Sequence, residues 1–307
     1  MTAAFARISA MTLLTQSSAH SPSQSWREPL IGPGMVLASM VAQNLGATLA
    51  KQMFAAVGAF GVTGLRVSLA ATILLIMRMP WRRSLSRTIL PDVLLYGFML
   101  GLMNLLIYQA FARLPIGIAI GIEVLGPLSI VLAGSRRALD LVWFAAAAAG
   151  LLLLLPLRVG NGLDPVGLAF AAGAATCWAL YIVFGKRVAT TLGADAVAWG
   201  MLVAACINLP LGITFAGGAL LHPWVLLSGL GIALLTSVMP CMLEMEAMRR
   251  LPSNVFGILL SAAPAVAALA GFIVLGETLT AIQWLAIVAI VSASCGSAIC
   301  AGRPHRS

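Results

Sequence analysis

The sequence predicts an all-α integral membrane protein with ten transmembrane helices, arranged as two inverted five-helix repeats with both termini cytoplasmic. Three observations predict it. The chain is 61% hydrophobic and 9% charged, with a mean hydropathy of +1.03, whereas soluble domains are about 25% charged. Its apolar residues fall into ten runs of about 20, the length a helix needs to cross a bilayer. Its Lys and Arg residues gather in alternate loops.

Residues 1–30 read as a flexible cytoplasmic tail, because Ser, Thr, Pro and Gln interrupt its apolar residues too early for a signal peptide. Breaks at charges, prolines and glycines then divide the chain. The expected spans are 34–51, 58–79, 91–112, 115–134, 138–156, 165–186, 193–215, 224–248, 252–275 and 280–301. Asp164-Pro165 supplies an N-cap and a first-turn proline for span six. Thr280 with Gln283 fits a capping box at the start of span ten.

The charges test this division. Of eighteen Lys and Arg, only Lys51, Arg113 and Arg158 fall on one side, and Arg66 falls within a span. The remaining fourteen lie on the other side, which the positive-inside rule makes cytoplasmic. The net charge of +9 does not point to nucleic acid, since the basic residues sit between apolar runs and form no stripe.

An internal repeat divides the chain into residues 31–157 and 158–303. Arg113-Leu114-Pro115 recurs as Arg250-Leu251-Pro252, and Pro127 and Pro264 each follow twelve residues later. Gly134 and Gly271 follow at seven more. The repeated unit holds five spans, an odd number, so the second copy enters the membrane inverted. Inverted repeats of this kind place a substrate site at the interface of the halves.

Polar residues within the spans are the candidate site. Glu123 is the only charged residue from Leu114 to Ser135. Pro127, four positions on, has no N–H for the Glu123 carbonyl, so the helix is expected to break there, as it is at Pro264 in the second copy. Lipid satisfies neither a carboxylate nor a freed carbonyl, so both should face a cavity. Glu123 lies about 12 Å from the outer end of its span at 1.5 Å per residue. Asn44, Arg66 and Asn104 fall at about 10–12 Å by the same count, with Tyr108 one turn from Asn104. This is one polar layer holding both signs of charge. The bland alternative is a structural Glu123–Arg66 pair, with the asparagines bonding neighbouring helices.

Other residues are more ambiguous. Glu246 precedes Arg250 by four, a favourable helical ion pair. Glu244 points about 200° away from Glu246 and can face the bundle. Trp178 and Tyr181 suit either a cavity lining or aromatic packing. Glu277 is expected to fix the turn into span ten.

The three histidines lie in tails or a loop, and the five cysteines form no CxxC pair. No metal site and no cofactor are therefore expected. There is no HExxH motif and no phosphate-binding GxxxxGK[ST] loop, which argues against a zinc peptidase and against direct ATP drive. The chain does not read as an enzyme. A channel or receptor fits the inverted repeat less well than a carrier does.

Five stretches carry a family resemblance: GATLAKQMFAAVGAFGVTGLR at 46–66, LPIGIAIGIEVLGPL at 114–128, CWALYI at 177–182, LEMEAMRRLP at 243–252 and LGETLT at 275–280. With these the chain resembles the drug/metabolite transporter superfamily of EamA type, and within it the bacterial threonine/homoserine exporters. The resemblance implies secondary transport of small metabolites, commonly outward, in the inner membrane, with proton coupling as an option. On that reading the partners are a small amino acid and the lipid bilayer, and a homodimer stays open. Glu123 would hold the substrate ammonium, and Arg66 would hold its carboxylate directly or organise the site. Asn44, Asn104 and Tyr108 would bond a hydroxyl or backbone group. Glu244, Trp178 and Tyr181 complete the expected substrate-binding set. The alternative is a carrier for drugs or other metabolites.

Overall fold

The computed structural model describes residues 28–82, 85–134, 163–193, 195–251 and 262–301, with isolated positions at 142, 145–146, 149–150 and 259. Every regular element among them is helical. The first half gives α1 (Glu28–Gln52), α2 (Phe54–Arg78), α3 (Leu90–Phe111), α4 (Ile116–Glu123) and α5 (Leu125–Gly134). The second gives α6 (Pro165–Leu192), α7 (Asp195–Ala216) and α8 (Pro223–Ala233). A π-helical turn (Leu234–Val238) then leads into α9 (Met239–Arg250), followed by α10 (Ala263–Leu275) and α11 (Ala281–Ala301).

Five of these stretches are long and apolar enough to cross a membrane: Phe54–Arg78, Leu90–Phe111, Pro165–Leu192, Asp195–Leu221 and Pro223–Glu244. Most of the expected fifth span, 138–156, and most of the first part of the ninth lie outside the described residues, as does most of the expected tail. Two boundaries differ from expectation. The first helix starts at Glu28, with Pro29 in its first turn, where no N–H partner is needed, and it continues through Pro33 inside the helix. Helix α6 runs on to Leu192, so Lys186 and Arg187 sit on a helix rather than in a loop. Gly167, Gly173 and Gly185 stay helical within it, and it ends only at Gly193, whose φ of 57° glycine adopts easily.

The local start signals operate as the residues dictate. The Asp164 carboxylate accepts from the Val166 N–H at 2.8 Å. The Thr280 N–H donates to Gln283 Oε1 at 2.9 Å, and the Gln283 N–H donates back to Thr280 Oγ1 at 3.3 Å.

The surface is apolar and the interior partly polar, the arrangement a bilayer requires. Leu37, Val41, Leu45 and Leu49 form an exposed stripe on α1, while Ser39, Asn44 and Thr48 of the same helix are buried. Close helix contact replaces hydrophobic drive, which lipid does not provide. A Cβ on Gly64 of α2 would stand 2.7 Å from the Asn208 carbonyl oxygen of α7, so only glycine lets these backbones meet.

The packing has a regularity of its own. Helix α2 packs on α7, and α4 on α10. Helix α3 packs on α6 and α7, while α9 packs on α1 and α8 on α2. Helices α4 and α5 lie against α6, as α10 lies against α1. Exchanging the two halves maps this pattern of contacts onto itself.

Candidate functional site

Two proline-linked breaks build the site. Helix α4 ends at Glu123, and α5 begins at Leu125, two residues before Pro127. Pro240 follows Thr236 by four residues, the same offset as Pro127 from Glu123. It denies the Thr236 carbonyl its usual partner, and the chain answers with the π turn 234–238. Both breaks place unusual backbone inside the bundle, beside charged or polar side chains.

Arg66 is the centre. It projects from α2 and is buried, with only 4% of its surface exposed. Its Nη1 donates to Thr236 Oγ1 at 3.1 Å and to Ser237 Oγ at 3.0 Å, both on the π turn. Its Nη2 donates to Asn104 Oδ1 on α3. The guanidinium lies over the Tyr108 ring, 4.4 Å from its centroid, a cation–π contact. Tyr108 in turn neighbours Thr236. Gly46 makes this possible from α1, because a side chain there would collide with Thr236.

The guanidinium is not fully used. A guanidinium has five N–H donors. Nη1 spends both of its own and Nη2 spends one on protein, while the buried Nε–H has no partner. Nε and Nη2 share an edge, the edge with which arginine grips a carboxylate through two parallel bonds.

Glu123 is buried and within electrostatic range of both Arg66 and Tyr108. No hydrogen bond or ion pair joins its carboxylate to any described residue. A direct Glu123–Arg66 pair, the bland reading of the sequence, is therefore not what the structure holds. Asn44 is also buried; its Nδ2 donates to Met40 O on its own helix at 2.8 Å, and its Oδ1 has no partner. Among the described residues the layer thus contains a free Nε–H on Arg66, a carboxylate without a bonded partner and a free neutral acceptor on Asn44.

The remaining expected residues lie elsewhere. The Glu244 Oε1 accepts from Ser39 Oγ at 2.5 Å and from Gln43 Nε2 at 2.7 Å, which ties α9 to α1. Tyr181 stacks on Tyr96 with ring centroids 4.9 Å apart and hydroxyls 3.2 Å apart. These two rings line an apolar cavity of about 300 Å³ with Gly185 and Ala196. Tyr181 is near Glu244 and Cys241, so these groups form a second polar cluster, apart from Arg66. Trp178 is half-buried on α6, a turn from Tyr181, and is bonded to neither cluster. Pro264 sits in the first turn of α10.

Sequence reasoning missed Thr236, Ser237, Ser39 and Gln43. The Thr236–Pro240 offset was the signal available for the first two. Among the described residues no group of His, Cys, Asp and Glu could hold a metal ion, and Cys177, Cys206 and Cys241 are free.

Comparison with known proteins gives matches of three kinds. The profile of the EamA-like transporter family matches residues 165–298. The threonine/homoserine exporter RhtA of Salmonella typhimurium (strain SL1344) is 45% identical over 266 residues, covering 86% of this chain and 90% of its own. The protein of the same description from Escherichia coli (strain K12) matches at the same identity and coverage. A solved crystal structure superposes with a TM-score of 0.60 at 22% identity, covering 87% of this chain and 97% of its own, a likeness of fold.

Proposed function

This chain belongs to the EamA-like transporter family, and from that premise we propose that it exports threonine, homoserine and similar small neutral amino acids. It is a multi-pass protein of the inner membrane. The relatives are named threonine/homoserine exporters and share 45% of residues over most of both chains.

The observation that carries the substrate class is the polar layer itself. A zwitterion needs an anion and a cation that are held apart rather than paired with each other. Among the described residues Glu123 has no bonded partner, and Arg66 keeps its Nε–H free and spends only one Nη2 N–H, on Asn104. In our reading the substrate ammonium meets Glu123 and its carboxylate meets the Nε–Nη2 edge of Arg66. Asn104 and Tyr108 hold Arg66 in place. Asn44, with its unpaired Oδ1, accepts the substrate hydroxyl, the group threonine and homoserine share. Glu244 belongs to the inner part of the path.

The mechanism proposed is alternating access between two inverted five-helix repeats, with both termini cytoplasmic. The half-for-half exchange of helix contacts and the one-sided distribution of Lys and Arg support it. Glu123 is the carboxylate available to exchange a bound ammonium for a proton, which would couple export to the proton gradient.

A second reading, a carrier for drugs or other metabolites, rests on the apolar cavity beneath Tyr96 and Tyr181. Proteoliposomes loaded with labelled threonine separate the two. Export of threonine and homoserine, inhibited by each other and not by analogues lacking the ammonium, is expected. Equal inhibition by ammonium-lacking analogues would refute the amino-acid reading.

A further inference from the structure

At the outer end of the bundle, Lys51 of α1 meets Glu277, which follows α10. The Nζ–Oε1 distance is 2.6 Å, and the side chains are only 23% and 14% exposed. Lys51 Nζ also donates to the Leu114 carbonyl at 2.8 Å, and Glu277 Oε2 accepts from the Ile116 N–H at 3.0 Å. One ion pair therefore joins three remote segments: the end of α1, the start of α4 and the exit from α10.

The local chain is shaped to deliver Glu277 there. Gly276 closes α10 in the left-handed conformation, with φ of 65°. The Gly276 and Glu277 N–H groups then both turn back to the Gly271 carbonyl, the second at 3.2 Å, which closes the helix end. A side chain on Gly271 would collide with the Glu277 carboxylate, so this glycine clears the path by which the carboxylate folds back. The local role expected from the sequence, fixing the turn into span ten, is the smaller part of what Glu277 does.

Its target matters. Ile116 is the first residue of α4, where N–H groups lack helical partners and a carboxylate is favoured. Helix α4 is eight residues long and ends at Glu123, about 10 Å from Ile116 at 1.5 Å per residue. The break at Val124 separates it from α5, so it is a short rod held at one end by Glu277 and bearing Glu123 at the other. Helix α10 packs on both α4 and α1, so the same contact draws these helices together above the polar layer.

We propose that Lys51 and Glu277 form a latch that closes the outer mouth of the site and acts as the positioning pair for Glu123. Release of the pair frees α4 to swing and opens the layer outward. The inference rests on the chain being a carrier oriented as above, but not on which solute it carries.

The test places a cysteine at Ile120, half-buried on α4 between the latch and Glu123. Its reaction with a membrane-impermeant maleimide is measured in right-side-out and inside-out vesicles, with the full chain lacking this change as background. Lys51→Met and Glu277→Gln are each expected to raise the rate at least about tenfold from outside and to lower it from inside. Glu277→Gln still offers the Ile116 N–H an acceptor. Glu277→Asp, which keeps the charge but shortens its reach, serves as a further variant expected to shift both rates the same way. An unchanged rate, or a rise from both sides as in a loosened fold, overturns the latch. Transport is not read in this assay, so a different solute would leave its result intact.

Discussion

Replacing Asn44 with leucine should make the carrier less selective without making it less stable. Asn44 is 4% exposed and its Oδ1 is buried without a partner. An unsatisfied buried acceptor costs about 1–3 kcal/mol in the empty protein. Leucine has a similar shape and removes that cost. It also removes the bond from Nδ2 to Met40 O, which contributes about 0.5–1.5 kcal/mol. The balance runs from a loss of about 0.5 to a gain of about 2.5 kcal/mol, a net gain over most of the range. In the loaded carrier the sign reverses. A threonine hydroxyl satisfies Oδ1, whereas valine, with a methyl group in its place, leaves it unpaired. Wild type should therefore prefer threonine to valine by about 1–3 kcal/mol at this position, a factor of roughly 5 to 150. Asn44→Leu should erase that factor. The assay is competition by valine against labelled threonine efflux in proteoliposomes, with thermal unfolding of the same preparation. Undiminished selectivity in a variant that melts at or above the wild-type temperature would refute the role given to Asn44.

Other changes follow from the same geometry. Arg66→Lys keeps the charge but cannot reach Thr236, Ser237 and Asn104 together, and it loses the planar edge; threonine KM should rise at least about tenfold, the equivalent of one charged hydrogen bond at about 1.5–3 kcal/mol. Ser237→Ala removes one of these supports and should weaken threonine binding by a smaller factor, with little change in Tm, as read by equilibrium binding and thermal scans. Gly64→Ala puts a methyl group 2.7 Å from the Asn208 carbonyl oxygen and should destabilise by about 1–3 kcal/mol, visible as a lowered Tm.

What the sequence made legible was local. Asp164 before Pro165, Thr280 with Gln283, and Glu246 four before Arg250 each interact within one helical turn, and each contact is present, the last at 2.6 Å. The depth count that grouped Asn44, Arg66, Asn104, Tyr108 and Glu123 used only helix rise and span ends; it gave a common depth, and the structure adds that Asn104 and Tyr108 of that group touch Arg66. Long-range partners left no such mark. Arg66 and Thr236 are 170 residues apart, and Lys51 and Glu277 are 226 apart, so no periodicity connects them. The π turn follows from a single proline, whose effect on side-chain direction appears only when the helix is built. Tyr181 and Glu244 form a separate cluster: the angle that turned Glu244 toward the bundle did not say which helix it meets, which is α1 through Ser39 and Gln43.

The measurement closest to the central claim is efflux of labelled threonine from proteoliposomes bearing wild type or Glu123→Gln, with and without an imposed proton gradient. If Glu123 holds the ammonium and exchanges it for a proton, wild type exports faster with the gradient, and the variant exports little under either condition. Export by a folded variant at the wild-type rate, equally responsive to the gradient, would contradict the account.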